Sequence, residues 1–233
     1  MEPPPAGLPV YRRPDPARPG PGPPPESRVL DRPSDLGGPG VACEVMSVLA
    51  PGLLVASPPP GDPNFDRSVV LLAAHGPEGA FGWIINGREL MTLPELLVRS
   101  QVSEAPLPDI ACSVRVGGPV SPEQVWLVYR SEERFADHEG QFEVGDGITA
   151  TASRKVLETI AAGTVPRSLI ALVGYAGWAP GQLENEIRNG SWLPIDVATQ
   201  LLFETDREQA WTAAYGRVGT TPIAFTTRTV GSA

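Results

Sequence analysis

The loop GDPNFDRS, residues 61–68, holds the side chains whose spacing comes nearest to a metal-binding pattern. Asp62, Asn64 and Asp66 occupy alternate positions, as the first ligands of a calcium loop do. Arg67 stands where that loop needs a glycine, and no glutamate closes it at the twelfth position, so we predict no metal site. Short polar side chains that bond to neighbouring backbone explain the loop more simply, and contact with a ligand is the alternative.

The second candidate is the stretch VGYAGWAPGQLE, residues 173–184, whose pattern predicts a strand, a glycine-rich turn and the start of a helix. Free backbone N–H groups at such a turn can hold a phosphate. The spacing of its three glycines matches neither GxGxxG nor GxxxxGKS/T, and no lysine follows them. Trp178 would fill part of the space that a phosphate needs, and Glu184 would compete with an anion. We therefore interpret the glycines as positions that allow the helix to pack closely on the strand, and Trp178 as a core residue.

Nucleophilic and acid–base catalysis find little support in the other residues. The sequence lacks GxSxG, its only histidines are His75 and His138, and nothing local supports a dyad of Cys112 with His75. His75 ends an apolar strand, which favours a structural role. The carboxylates of Glu184 and Glu186 are two residues apart on a helix, so they point to different faces. We predict no catalytic residue, no metal ligand and no cofactor.

These observations leave a set of candidate ligand-binding residues. The set is Asp62, Asn64, Arg67, Ser68, Asn86, Trp178, Gln182 and Glu184. Our leading hypothesis is a binding or regulatory module that contacts an unidentified protein or small molecule. The alternative is an enzyme of unknown reaction, with a cleft between residues 62–68 and 174–184.

Hydrophobic patterning and the placement of glycine and proline predict the elements that must position these residues. Strands are predicted at 52–57, 68–75, 80–86, 113–120, 123–130 and 168–177, with a pair of strands within 142–153 and further strands or edges at 191–196 and 199–204. Helices are predicted at 92–100, 154–163, 180–190 and 205–219. Hairpins mix with strand–helix units, which predicts a single domain of the mixed α/β (α+β) class with helices packed outside its sheet.

Composition and charge set limits on this domain. Residues 1–43 of the 233 form a proline-rich arm that we predict to be disordered, followed by a folded domain over 44–222 and a flexible tail over 223–233. The net charge is −9, and residues 1–41 carry as many basic as acidic residues, so the excess of acid lies on the rest of the chain. Direct DNA binding is therefore not expected, because it depends on neutralising phosphates.

The two cysteines, Cys43 and Cys112, are far apart and provide neither a disulfide framework nor a zinc site. The N-terminus lacks the apolar core of a signal peptide, and no apolar run approaches the length of a membrane span. We therefore expect a cytoplasmic protein with no membrane association.

Five segments of the chain, in order and with compatible spacing, resemble the bacterial YqgE/AlgH family. They are DPNFDRSVVLL (62–72), GAFGWIIN (79–86), GGPV (117–120), GITATASRKVLETIA (147–161) and GYAGWAPGQLENEI with SWL (174–193). The resemblance covers about residues 47–220 and implies a compact mixed α/β domain whose sheet is bent into a barrel-like form. It also implies a role in transcriptional regulation and brings no catalytic residues. The chain departs from the family at WIING, where many relatives have Asn-Lys or Asn-Arg followed by proline.

Overall fold

The structure is a computed structural model that describes residues 49–58, 65–102, 110–135 and 139–222. All of these residues belong to one compact unit, which begins at Met46. The predicted arm over 1–43, the predicted tail over 223–233 and the candidates Asp62 and Asn64 lie outside the described residues. The six other candidate residues are described.

Ten strands and five α-helices make up the described part of the chain. The strands are β1 (Gly52–Ala56), β2 (Val69–Gly76), β3 (Gly79–Ile84), β4 (Glu89–Thr92), β5 (Ser113–Val116), β6 (Val120–Arg130), β7 (Gln141–Gly145), β8 (Ile148–Thr151), β9 (Leu169–Trp178) and β10 (Trp192–Ile195). The helices are α1 (Leu93–Arg99), α2 (Arg154–Ala161), α3 (Gln182–Arg188), α4 (Thr199–Phe203) and α5 (Ala210–Arg217). This composition confirms the predicted mixed α/β class, and the sheet is curled into a half-barrel as the resemblance implies.

The strand β9 organises the sheet. It pairs antiparallel with β3 and β6 and parallel with β5, so three other parts of the chain meet on it. The main path of the sheet is β10-β1-β2-β3-β9-β6-β8-β7, and β4 joins it through β5. Within β9, Gly174 has φ 71°, and a Cβ there would lie 2.4 Å from the carbonyl oxygen of Gly118. Only glycine fits this bend, where β9 leaves β5 and continues beside β3.

Three clusters of buried side chains lie on the faces of this sheet. The first cluster contains Val55 and Val69 and packs against α4 and α5. The third cluster contains the alternate residues Leu54 and Val70 and packs against α3. The second cluster joins α1 and α2 to β5, β6 and β9. Because successive residues of a strand point to opposite faces, β1 and β2 separate the first cluster from the third.

The structure corrects the C-terminal part of the sequence prediction. Residues 199–204, predicted as a strand or edge, form the helix α4, because periodicity alone cannot tell a short buried helix from a strand. The helix α5 begins at Ala210, not at Thr205, whose hydroxyl group donates to the carbonyl oxygen of Gln200 and does not cap α5. The prediction also lacks β4, which is mostly exposed and has no apolar alternation to reveal it.

Candidate functional site

Phe65 brings together the two motifs that the sequence analysis singles out. Its ring stacks on that of Trp178, with 6.3 Å between the ring centroids, and meets that of Trp192 edge-on at 5.3 Å. Trp178 and Trp192 also meet edge-on, at 5.9 Å. Trp178 is only 5% exposed and belongs to the third cluster. The three rings therefore pack as part of the core where the two motifs meet.

The carboxylate of Glu186 fixes both tryptophans at this junction. Its Oε2 accepts hydrogen bonds from the Nε1 atoms of Trp178, at 2.9 Å, and Trp192, at 2.8 Å. Its Oε1 accepts from Gln182 Nε2 at 2.8 Å, and Gln182 Oε1 accepts from the amide of Ala179 at 3.0 Å. Glu186 is thus the central residue of the network, although the sequence analysis proposes no role for it. Two tryptophans on either side of a short acidic helix are the signal that points to it.

Glu184 lies nearby on α3 and pairs with His75 near the end of β2. The distance from Glu184 Oε1 to His75 Nε2 is 2.9 Å, and the amide of Leu49 donates to His75 Nδ1 at 3.3 Å. Since Nδ1 accepts a hydrogen bond, the geometry fits a neutral imidazole that donates its Nε2 proton to Glu184. The pKa of Glu184 is lowered, first by a hydrogen bond from its own backbone amide and also by its hydrogen bond with the His75 ring. His75 is therefore a buried, hydrogen-bonded histidine, as its position in the sequence favours.

Arg67, Ser68 and Asn86 hold the connection that leads into β2. Ser68 Oγ donates to the carbonyl oxygen three residues earlier, at 2.9 Å. Asn86 Oδ1 accepts from the amide of Val69 at 2.8 Å, and Asn86 Nδ2 donates to the carbonyl oxygen of Arg67 at 2.9 Å. The Arg67 guanidinium lies over the ring of Trp211 on α5, 5.6 Å from its centroid. Ser68 and Asn86 therefore bond to backbone, and for Ser68 this is the role that the sequence analysis favours for polar residues of the loop 61–68.

The described candidate residues are divided between the two faces of the sheet. Trp211, which lies under the Arg67 guanidinium, belongs to the first cluster. Leu183, which precedes Glu184 on α3, belongs to the third cluster. Arg67 and Glu184 therefore do not line one cleft. Gln182 on α3 and Trp178 at the end of β9 do lie together, in the network around Glu186.

The dyad of Cys112 with His75 is not formed. Cys112 packs against the second cluster, and its Sγ lies 3.7 Å and 3.8 Å from the carbonyl oxygens of Ser113 and Leu169. Burial raises the pKa of this thiol, which keeps it protonated and a poor nucleophile at neutral pH.

In the described ranges, no group of three or more His, Cys, Asp or Glu residues is placed to hold a metal ion. Among the five described helices, none has the length and apolar character needed to span a membrane.

A second group of aromatic side chains, which the sequence analysis does not name, lies in the first cluster. We call it the aromatic patch, and it consists of Phe81, Trp83, Trp126, Phe142 and Tyr175. Trp83 is fully buried, and its ring centroid lies 4.8 Å from that of Phe81 and 5.2 Å from that of Trp126. The four other rings are half-buried. The alternation of Phe81 and Trp83 along β3 is the sequence signal that identifies this face.

The first-cluster face carries hydrogen-bond donors that lack acceptors. The Nε1 atoms of Trp83 and Trp126 are buried and have no hydrogen-bond partner within the described ranges. The same is true of Arg115 Nε on β5, whose Nη1 donates to the carbonyl oxygen of Ile85 at 3.1 Å. Buried N–H groups are nearly always paired, because each unpaired one costs about 1–3 kcal/mol. These donors make the aromatic patch the best candidate for a binding site.

Comparison with known proteins gives one consistent result. A family model described as AlgH-like (DUF179) matches residues 53–223. A UPF0301 protein of Anaeromyxobacter sp. (strain Fw109-5) is 40% identical over 184 residues, which cover 77% of this chain and 92% of the relative. A UPF0301 protein of Xanthomonas oryzae pv. oryzae (strain PXO99A) is 38% identical over 171 residues, which cover 73% and 89%.

Two solved structures share the fold. The solution structure of the AlgH protein from Pseudomonas aeruginosa, at 29% sequence identity, matches with a TM-score of 0.64 over 81% of this chain and 96% of that one. An X-ray structure of a protein from Corynebacterium diphtheriae, at 23% identity, matches with a TM-score of 0.58 over 72% and 86% of the two chains.

Proposed function

The chain belongs to the AlgH-like family, and we propose that it is a binding protein whose aromatic patch contacts a small molecule. The observation that carries this proposal is the indole of Trp83, which is fully buried and whose N–H finds no acceptor among the described residues. Half-buried rings surround it and provide the apolar walls typical of ligand sites, which often lie in the mouths of β-barrels. A ligand atom that accepts this hydrogen bond would remove the penalty of the unpaired donor.

An enzyme with a cleft between residues 62–68 and 174–184 is the second candidate function. It is favoured by the hydrogen-bonded pair of His75 and Glu184, which are residue types used in acid–base catalysis. Two observations weigh against it: the His75 side chain is only 4% exposed, and Arg67 lies on the other face of the sheet. A binding protein requires neither an accessible imidazole nor a shared cleft, so it is the better supported proposal.

We further propose that this chain acts through a ligand or a partner protein and not through direct contact with DNA. The net charge of −9 opposes the neutralisation of phosphates that DNA binding requires. We expect no gel shift of duplex DNA at a salt concentration of about 0.2 M. A complex that persists at this salt concentration would contradict the proposal.

A ligand screen on the full chain tests the proposed binding site. We expect a compound that raises the unfolding temperature of the wild type and changes its tryptophan emission, because ligands that bind only the folded state stabilise it. The variant Trp126→Phe keeps an aromatic ring and loses one unpaired N–H, so it should bind that compound about three- to tenfold more weakly.

Trp178→Phe is the matched control for this experiment. It removes an indole N–H that already bonds to Glu186 on the other face of the sheet, so it should lower stability and leave the affinity unchanged. The proposal is wrong if no compound stabilises the wild type, or if both variants weaken binding to the same extent.

A further inference from the structure

We infer that the ligand of the aromatic patch is a planar aromatic molecule that carries a carboxylate, an inference that rests on the proposed function. Among the described residues, three buried N–H donors have no hydrogen-bond partner, and they lie on the first-cluster face. Two belong to tryptophan indoles of the patch, and the third belongs to the guanidinium of Arg115. The ligand must therefore present acceptors, and a negative charge fits best.

The register of the sheet places Arg115 beside the patch. Leu172 of β9 is paired with Arg115 of β5 on one side and with Trp126 of β6 on the other. Residues paired across neighbouring strands point to the same face of a sheet. Leu172 is fully buried in the first cluster, so Arg115 and Trp126 flank it on the face that this cluster occupies. The hydrogen bond from Arg115 Nη1 to Ile85, another member of the first cluster, agrees with this placement.

Arg115 forms no ion pair with a carboxylate of the described residues. Its cross-strand partner Glu89 lies 3.8 Å from Arg207 Nε. A guanidinium that is partly removed from water gains most from an anionic acceptor, and it fits the two oxygens of a carboxylate. Arg115 Nη1 bonds to the Ile85 carbonyl oxygen, and the buried Nε of the same guanidinium has no acceptor among the described residues.

The rings of the patch define the rest of the ligand. Phe81 has its ring centroid 4.9 Å from that of Tyr175 and 5.5 Å from that of Trp126, and all three rings are half-buried. Such rings stack on planar groups and exclude water from polar contacts. Aromatic rings can also surround a cation, but Arg115 and the two indole N–H groups would repel one. The structure therefore favours an aromatic anion over an aromatic cation.

Three naphthalene probes of different charge test this inference by calorimetry with the full wild-type chain. They are 2-naphthoate, the neutral 2-naphthamide and the cationic (2-naphthylmethyl)trimethylammonium. We expect 2-naphthoate to bind about tenfold more tightly than 2-naphthamide, because hydrogen bonds to a charged acceptor are roughly twice as strong as neutral ones. We expect no binding of the ammonium compound.

Variants at Arg115 assign this preference to one side chain. Arg115→Met should remove the preference for 2-naphthoate over 2-naphthamide, whereas Arg115→Lys should retain part of it because the charge remains. Arg188→Met is the matched control, since Arg188 is exposed on α3 at the other face of the sheet, and it should bind like the wild type. Circular dichroism and the unfolding temperature check that each variant is folded.

The outcomes separate the two proposals. If 2-naphthamide or the ammonium compound binds as tightly as 2-naphthoate, or if Arg115→Met keeps the preference, the carboxylate inference is wrong and the binding function stands. If Arg188→Met loses the preference as Arg115→Met does, the assignment to Arg115 is wrong. If none of the three compounds binds to the wild type, the inference of an aromatic carboxylate ligand is wrong, and the ligand screen alone decides the proposed function.

Discussion

At the scale of single residues, Glu186 accepts more hydrogen bonds at the junction of the two sequence motifs than any described candidate named from the sequence. Its carboxylate accepts two indole N–H groups and one amide N–H. The variant Glu186→Ala leaves the donors of Trp178 and Trp192 without their acceptor inside the third cluster. We expect it to lower the free energy of unfolding by about 2–4 kcal/mol, because each hydrogen bond to a charged group contributes about 1.5–3 kcal/mol.

Urea denaturation followed by tryptophan emission measures this loss. Glu158→Ala is the control, since Glu158 forms an exposed ion pair with Arg154 within α2 and should contribute less than about 0.5 kcal/mol. Equal effects of the two variants would show that the indole contacts with Glu186 contribute nothing to stability.

Glu184 gives the protein a pH-dependent contribution to stability. Its pKa in the folded chain lies below the ordinary value of 4.5, first because of its own backbone amide and also because of His75. A carboxyl group with a lowered folded pKa adds stability above its unfolded pKa, and this stability is lost as the pH falls through the folded pKa. We therefore expect the free energy of unfolding to fall more steeply below pH 4.5 in the wild type than in Glu184→Gln.

Denaturation curves recorded between about pH 6 and about pH 3 measure this difference. Glu78→Gln removes an exposed carboxylate from the turn between β2 and β3 and serves as the control. Wild-type and Glu184→Gln curves that run parallel over this range would contradict the assignment.

At the scale of elements, the path of β9 depends on glycine at one position. Gly174 and Gly181 have almost the same φ, 71° and 73°, but a Cβ at Gly174 would collide with the Gly118 carbonyl oxygen, whereas a Cβ at Gly181 would meet open space. Gly181→Ala should therefore lower the free energy of unfolding only by the cost of placing alanine in a left-handed conformation, about 1–2 kcal/mol. Gly174→Ala should lower it by at least about 2 kcal/mol more, because the backbone segments that meet there must also move apart. Thermal unfolding of the two variants measures the difference, and equal losses would show that the bend tolerates a side chain.

The sequence predicts most of these elements because their signals are local. The apolar run of β9, and the proline and glycine that flank α3, identify both elements within a few residues of their ends. The interpretation of the glycines as positions of close helix–strand packing is wrong: a Cβ at Gly174 would meet the non-helical backbone of Gly118, and a Cβ at Gly181 would meet open space. The three partner strands of β9 could not be predicted, since they come from distant parts of the chain and no local pattern encodes which strands pair.

The candidate site was harder to predict for the same reason. The aromatic patch is assembled from β3, β6, β7 and β9, and its members span residues 81–175. Each of its aromatic residues looks like an ordinary core residue within its own strand. The role of Glu186 likewise depends on Trp192, the first residue of β10, which comes close to Glu186 because the chain reverses direction after α3. Motif spacing reveals local polar groups such as Ser68 and Asn86, and in the structure these hold the backbone.

At the scale of the whole molecule, described residues from β1 to α5 supply the buried side chains of the three clusters. The predicted arm has little apolar content with which to join them, and residues 1–41 carry equal numbers of acidic and basic residues. We therefore expect a chain that starts at residue 44 to unfold with a free energy within about 0.5 kcal/mol of that of the full chain, and to bind ligands equally well.

Calorimetric unfolding of the two chains tests this expectation, and a chain that starts at residue 57 is the contrasting case. That chain lacks β1, and with it the carbonyl oxygen of Ala56, which accepts hydrogen bonds from Trp211 Nε1 at 2.7 Å and Tyr215 Oη at 3.2 Å. It should not fold, because it loses both a strand that pairs with β2 and β10 and the attachment of α5 to the sheet. A drop of several degrees in the unfolding temperature of the chain that starts at residue 44 would instead show that the arm packs on the domain, and the domain boundary would have to move towards the N-terminus.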